Sequence, residues 1–149
     1  MLIGILNGPN LNLLGAREQE QYGTATLEEI NRTLDDLAGQ LGAQLIKIQS
    51  NHEGELVEWV QSHAASVDGW VVNGGGYAHT SVALRDALIA SGRPLVEVHM
   101  SNIFAREEFR RTSVLSDISV GVVTGFRETS YEFGLRGLVH HIRDTDGPT

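Results

Sequence analysis

The chain has 149 residues, with 11 Lys and Arg against 19 Asp and Glu, a formal net charge of −8, and no cysteine. A length in the usual range of one domain predicts a single core that needs neither disulfide nor structural metal. The lack of cysteine excludes a disulfide scaffold, a thiolate metal site and a thiol nucleophile, and the acidic balance argues against general nucleic-acid binding.

Residues 1–6 are apolar but lack the basic region of a secretory leader and break at Asn7-Gly8-Pro9-Asn10, so they read as a strand. No apolar run reaches the ~20 residues of a membrane span, and the expectation is a cytoplasmic protein with no membrane contact. The first strand, 2–6, leads into a long connection, 7–25, against the ~2 to 6 residues usual after a strand of this kind. Leu27, Ile30, Leu34, Leu37, Ala38 and Leu41 then form a helical stripe, opened by the capping box Thr26-x-x-Glu29 and closed by Gly42. A second apolar run, 43–48, precedes a helix carrying Leu56, Val60 and Ala64. The third run, 69–72, is followed by a glycine-rich turn and a helix over 80–91, with Leu84, Ala87 and Leu88 inward and Gly92 as its stop. The fourth run is 95–99, with a short helix expected at 105–111, and the fifth is 119–124. Tyr131, Leu135, Leu138 and Ile142 mark a last helix over 129–142 with a second capping box, Thr129-x-x-Glu132. The expected organisation is one domain over 1–143 and a flexible polar tail over 144–149.

Strict strand–helix alternation implies parallel strands joined by right-handed crossovers. The fold expected is α/β, a flavodoxin-like three-layer sandwich around a five-stranded parallel sheet of order 2-1-3-4-5. Ligands of such sheets bind beyond the carboxyl ends of the strands, where strand order reverses, which selects the loops 7–25, 73–79 and 99–105.

In the first loop Pro9 removes an amide donor where a phosphate cradle needs one, so nucleotide binding there is disfavoured. Arg17 and Tyr22 share this loop. A guanidinium beside a phenol favours phenolate, although the two residues also fit a solvated cation and a packing ring. In Asn73-Gly74-Gly75-Gly76-Tyr77-Ala78-His79 the glycines allow close backbone approach to a ligand, or simply a tight turn. Arg85 and Asp86 on the following helix are adjacent and point in different directions, which suits solvated surface charges. Glu97, His99 and Ser101 share one face of an extended segment, so the carboxylate can orient an imidazole for acid–base work. His79, His99 and Glu97 lack the spacing of a helical metal motif. Arg106 and Arg110, four apart and followed by Arg111, suggest either a patch for a small anionic or polyhydroxylated ligand or an interface network. The single lysine, Lys47, falls on an edge strand, a poor setting for an imine-forming amine. His52, His63, His140 and His141 fall on helices or caps and read as surface residues.

Taken together, these motifs resemble the type II 3-dehydroquinate dehydratases. The resemblance rests on Asn7-Gly8-Pro9-Asn10-Leu11-Asn12, Gly15-x-Arg17-Glu18 and Tyr22-Gly23 in the first loop, and on Asn73-x-Gly75-Gly76-Tyr77-x-His79-Thr80-Ser81 with Arg85-Asp86 after it. Glu97-Val98-His99-x-Ser101-Asn102, Arg106-Glu107 and Arg110 complete it, all in family order from residue 2 to about 142. It implies reversible anti-elimination of water from 3-dehydroquinate through an enolate, without metal or organic cofactor. It assigns Tyr22 as the base, Arg17 as its electrostatic support, Asn10 as a stabiliser of the enolate, and His99, oriented by Glu97, as the acid. Asn73, Met100 and Ser101 are implied to hold the C1 hydroxyl and carboxylate region, and His79 and Arg110 the ring hydroxyls. Asp86 would serve a neighbouring subunit in a homododecamer of four trimers. The pathway implied is shikimate-dependent aromatic amino-acid biosynthesis, with quinate catabolism as the alternative. The chain departs from the family pattern at Gln19, where proline is common, at Ala78, where a hydroxyl residue is common, and at Arg127-Glu128, where glycine is expected.

Other classes fit less well. A flavin-binding electron carrier needs amide donors where Pro9 stands. A phosphoacceptor receiver needs acidic residues at the ends of strands 1 and 3 and a lysine after strand 5, where this chain has Asn7, Asn73 and Thr124-Gly125. A non-catalytic interaction module stays open on fold alone.

Overall fold

Alternation of apolar side chains along the strands splits the core into two layers. Inward residues Ile3, Ile5, Val71, Val96 and Val98 pack on one face of the sheet, and Leu6, Trp70, Val72 and Leu95 on the other. The computed structural model describes residues 1–147. Its strands are β1 (Leu2–Asn7), β2 (Gln44–Gln49), β3 (Gly69–Asn73), β4 (Leu95–His99) and β5 (Gly121–Thr124), all parallel in the order β2-β1-β3-β4-β5. The expected topology is therefore the observed one.

Among the described residues, five α-helices connect or flank the strands: α1 (Gln19–Tyr22), α2 (Leu27–Gln40), α3 (Glu53–His63), α4 (Val82–Ser91) and α5 (Thr129–Thr145). Ile30, Leu34 and Leu37 of α2 and Leu135, Leu138 and Ile142 of α5 cover the first face. Leu56 and Val60 of α3 and Leu84 and Leu88 of α4 cover the second. Truncating any one of these buried leucines to alanine costs about 2 to 5 kcal/mol. Thr26 Oγ1 accepts from the Glu29 amide at 3.2 Å, as its capping box requires, and Ser81 Oγ accepts from the Leu84 amide at 2.9 Å.

Three local expectations are corrected. The box Thr129-x-x-Glu132 does not form, because Arg127 takes a left-handed backbone (φ 52°) that turns the chain into α5 early, leaving Glu128 at the cap and Thr129 already helical. Residues 105–111 are not one helix but two 3-10 turns, Ile103–Ala105 and Glu108–Arg110, since Arg106 between them is extended (φ −107°, ψ −162°). The last helix runs on through Asp144 and Thr145, which the sequence reading assigned to a tail. Thr145 Oγ1 reaches back to the Ile142 carbonyl at 2.9 Å. Pro148 and Thr149 of that tail lie outside the described residues.

Candidate active site

The carboxyl ends of β1, β3 and β4 meet where strand order reverses, and there the connections after them close a cleft. Its floor is fixed by strand-end asparagines. The Tyr131 hydroxyl of α5 donates to Asn7 Oδ1 at 2.6 Å and accepts from Asn73 Nδ2 at 2.8 Å, while the Gly75 amide donates to Asn73 Oδ1 at 3.2 Å. Tyr131 is completely buried, and burial pushes its phenol well above the ordinary range, so it stays a neutral donor and fixes the orientation of both amides. Gly8 packs so closely on Gly74 that a Cβ would overlap the Gly74 carbonyl, and Gly75 (φ 57°) lies against Pro9. Two of the three glycines thus join the loop 7–25 to the loop 73–79. Gly76, exposed on the cleft, is the one left for close approach to a ligand.

On one wall, His99 at the end of β4 bonds through Nε2 to Glu97 Oε1, and Ser116 Oγ donates to Glu97 Oε2 at 2.6 Å. Glu97 has no exposed surface. Burial alone would raise its carboxyl, but the bonds from His99, Ser113 and Ser116 outweigh it and hold the group below the ordinary range. With Nε2 committed to the carboxylate, Nδ1 is the His99 atom left to work in the cleft. His79 stacks beside it, with ring centroids 5.9 Å apart, and gives Nδ1–H to the Thr112 carbonyl at 2.8 Å, so Nε2 is its free acceptor. Its pKa lies below the usual value, chiefly through burial, with His99 and Arg110 adding to the shift.

The first loop also lines the cleft. Tyr22 ends α1, and its phenolic oxygen accepts from Arg106 Nη1 at 2.7 Å. The same nitrogen reaches Ser101 Oγ at 3.2 Å. Arg17 instead lies over the ring, its Cζ 4.8 Å from the centroid. Asn10 has a left-handed backbone (φ 67°), held by its amide bond to Asn51 Oδ1 at 2.9 Å, and lines the cleft. Met100, Ser101 and Arg110 line it too. The Met100 carbonyl accepts from the Arg127 amide and the Ser101 carbonyl from Thr124 Oγ1, which pins this turn, and Arg110 Nε is paired with Glu107.

Of the residues singled out in the sequence, the cleft collects Asn10, Arg17, Tyr22, Asn73, His79, His99, Met100, Ser101 and Arg110, with Glu97 behind His99. Asp86 is exposed on α4 and does not line the cleft of its own chain. Its neighbour Arg85 is not the free surface charge expected. It pairs with Asp117 and donates to the Val114 carbonyl at 2.7 Å. Lys47 pairs with Asp35 at 2.5 Å, away from the cleft. Arg106 and Tyr131 are the residues the sequence reading undervalued. In the sequence Arg106 stands in a basic group and in a motif of the resemblance without an assigned role, and Tyr131 stands only as one member of an apolar stripe.

The model of the family described as dehydroquinase class II matches residues 1–139. The chain belongs to this family. Among similar proteins is the 3-dehydroquinate dehydratase of Gemmatimonas aurantiaca, 56% identical over 139 residues, which span 93% of this chain and 91% of that one. That of Carboxydothermus hydrogenoformans is 48% identical over 149 residues, 99% of this chain and 97% of its own. The crystal structure of the type II dehydroquinase from Butyrivibrio crossotus superposes with a TM-score of 0.90 at 36% identity, covering 93% of this chain and 97% of that one.

Proposed function

We propose that the chain is a hydro-lyase that converts 3-dehydroquinate reversibly to 3-dehydroshikimate. The observation that carries the reading is the presence, in one cleft, of a phenolic oxygen held by a guanidinium (Tyr22 with Arg106) and an imidazole backed by a buried carboxylate (His99 with Glu97). Loss of water next to a carbonyl needs a base for the acidic C–H and an acid for the departing hydroxyl, and this cleft holds one candidate for each.

In this mechanism the Tyr22 phenolate takes the proton from C2, and the electrons of that C–H bond move onto the C3 carbonyl oxygen to give an enolate, which Asn10 stabilises. The enolate oxygen then re-forms the C3 carbonyl, the C2–C3 π electrons become the C1–C2 double bond, the C1–O bond breaks with its electrons on the leaving oxygen, and His99 Nδ1 delivers the proton that makes that hydroxyl water. Arg106 supplies a charge-assisted donor to the phenolate oxygen, and Arg17 supports it from the ring face. Asn73, Met100 and Ser101 hold the C1 and carboxylate region, and His79 and Arg110 the ring hydroxyls. No metal or organic cofactor takes part in these steps.

The chain through the end of α5 acts as one catalytic domain, in the cytoplasm, within the shikimate route to aromatic amino acids. The assembly is a dodecamer of four trimers in which Asp86 reaches a neighbour's cleft. Its exposure on α4, beside exposed Val82 and Ile89, supports that reading. Incubation of the purified protein with 3-dehydroquinate tests the activity. Ultraviolet absorbance of a conjugated enone is expected to grow with time and enzyme concentration, and its absence would contradict the assignment.

A further inference from the structure

Arg127 stands at a backbone position that favours glycine, with φ 52°, yet carries a long charged side chain. Both ends of the residue are engaged. Its amide donates to the Met100 carbonyl at 2.9 Å, directly after the catalytic strand β4, and its Nη2 reaches the Glu20 carbonyl in α1 at 3.4 Å. Helix α1 is one turn long, and the Glu20 carbonyl is among those that its own amides leave without a partner. A guanidinium at that end satisfies the carbonyl and opposes the negative end of the helix. The aliphatic part of Arg127 also packs under Gly23, whose added Cβ would sit 3.4 Å from Arg127 Cδ and 3.1 Å from Glu128 Oε2. Arg127 therefore bridges the floor of the cleft to the segment that ends in Tyr22.

We infer that Arg127 is a positioning residue that clasps the α1 segment over the cleft and sets the place of Tyr22 before substrate arrives. This rests on the reading of Tyr22 as the base. Without the clasp, the segment would populate open arrangements, and substrate affinity would fall by the fraction of molecules that are binding-competent. Chemistry in the closed complex would be little changed, because Arg106 still meets the phenolic oxygen.

The test compares Arg127→Gly, Arg127→Ala and Arg127→Lys by hydrogen–deuterium exchange over residues 16–24, thermal unfolding, and steady-state kinetics on 3-dehydroquinate. Glycine relieves the left-handed backbone while removing the clasp, so Arg127→Gly is expected to unfold at a midpoint no lower than wild type. The same variant is expected to exchange several-fold faster in the segment and to raise KM roughly fivefold, with kcat changed less than about twofold. Arg127→Ala should match it in exchange and KM at lower stability, and Arg127→Lys should restore protection and KM in part. Unchanged exchange in the glycine and alanine variants would overturn the inference, as would faster exchange without a change in KM or a KM effect without faster exchange. If neither wild type nor variants turn over 3-dehydroquinate, the assignment of function fails, and the exchange arm still decides whether the clasp exists.

Discussion

The phenolic oxygen of Tyr22 is held by Arg106 at 2.7 Å, whereas Arg17 approaches only the face of the ring, 4.8 Å from its centroid. Two cations therefore act on one phenol in different ways. A direct charge-assisted hydrogen bond is worth roughly 1.5 to 3 kcal/mol, and a cation over an aromatic face roughly 0.5 to 2 kcal/mol. Since each 1.36 kcal/mol is about tenfold in rate, Arg106→Ala is expected to lower kcat by roughly a hundredfold and Arg17→Ala by roughly tenfold. Equal losses in steady-state assays of the two variants would contradict this order, and a larger loss for Arg17→Ala would assign the main support of the phenolate to Arg17.

Tyr131 binds two strand-end amides in a buried place, so its hydroxyl affects both stability and site geometry. Tyr131→Phe keeps the ring but leaves Asn7 Oδ1 and Asn73 Nδ2 without this partner, an omission that costs about 1 to 3 kcal/mol. The expected result is a lower urea midpoint at unchanged slope and a raised KM, because the Asn73 amide is no longer fixed. A urea midpoint equal to that of wild type would show that water replaces the hydroxyl.

Stability should fall in two stages on acidification, and the signs follow from two shifts. The pKa of Glu97 lies lower in the folded chain than in the unfolded one, so its contribution is complete above the ordinary carboxyl value near 4.5 and is lost as pH falls through the folded value. His79 is also shifted down. Below its ordinary value near 6.5 the unfolded chain takes up a proton that the folded chain resists, and stability falls over that interval. Unfolding midpoints measured across pH should therefore decline first below about 6.5 and again below about 4.5. His79→Gln should flatten the upper stage and Glu97→Gln the lower. A profile that both variants leave unchanged would show that other groups set the acid dependence.

The alternation of strands and helices was legible in the sequence because each strand ends at a turn signal and each helix keeps its apolar period, as at Leu27 to Leu41, and the strand order and the three site-forming loops followed from the open α/β sheet that five such units fit. The pair Glu97 and His99 was legible because period-two spacing places both on one face of β4. What escaped was set by long-range contacts. Arg106 turns back to Tyr22 and Ser101 and breaks the helix that 105–111 would otherwise resemble. The Tyr131 hydroxyl reaches Asn7, far earlier in the chain, and nothing local marks it as different from an apolar stripe residue. The Thr129 box failed because the left-handed Arg127 shifts the start of α5, a backbone choice that propensity does not anticipate.

The central claim is that Tyr22 removes the proton and does not merely hold the ring, and Tyr22→Phe measures it most directly. The variant keeps the aromatic packing beneath Arg17 and loses only the oxygen that Arg106 holds. Its kcat on 3-dehydroquinate should fall by at least about a thousandfold, roughly 4 kcal/mol of barrier, while a non-reacting substrate analogue binds within a few-fold of wild type by calorimetry. Retention of more than about a tenth of wild-type kcat, less than about 1.4 kcal/mol, would show that another group is the base.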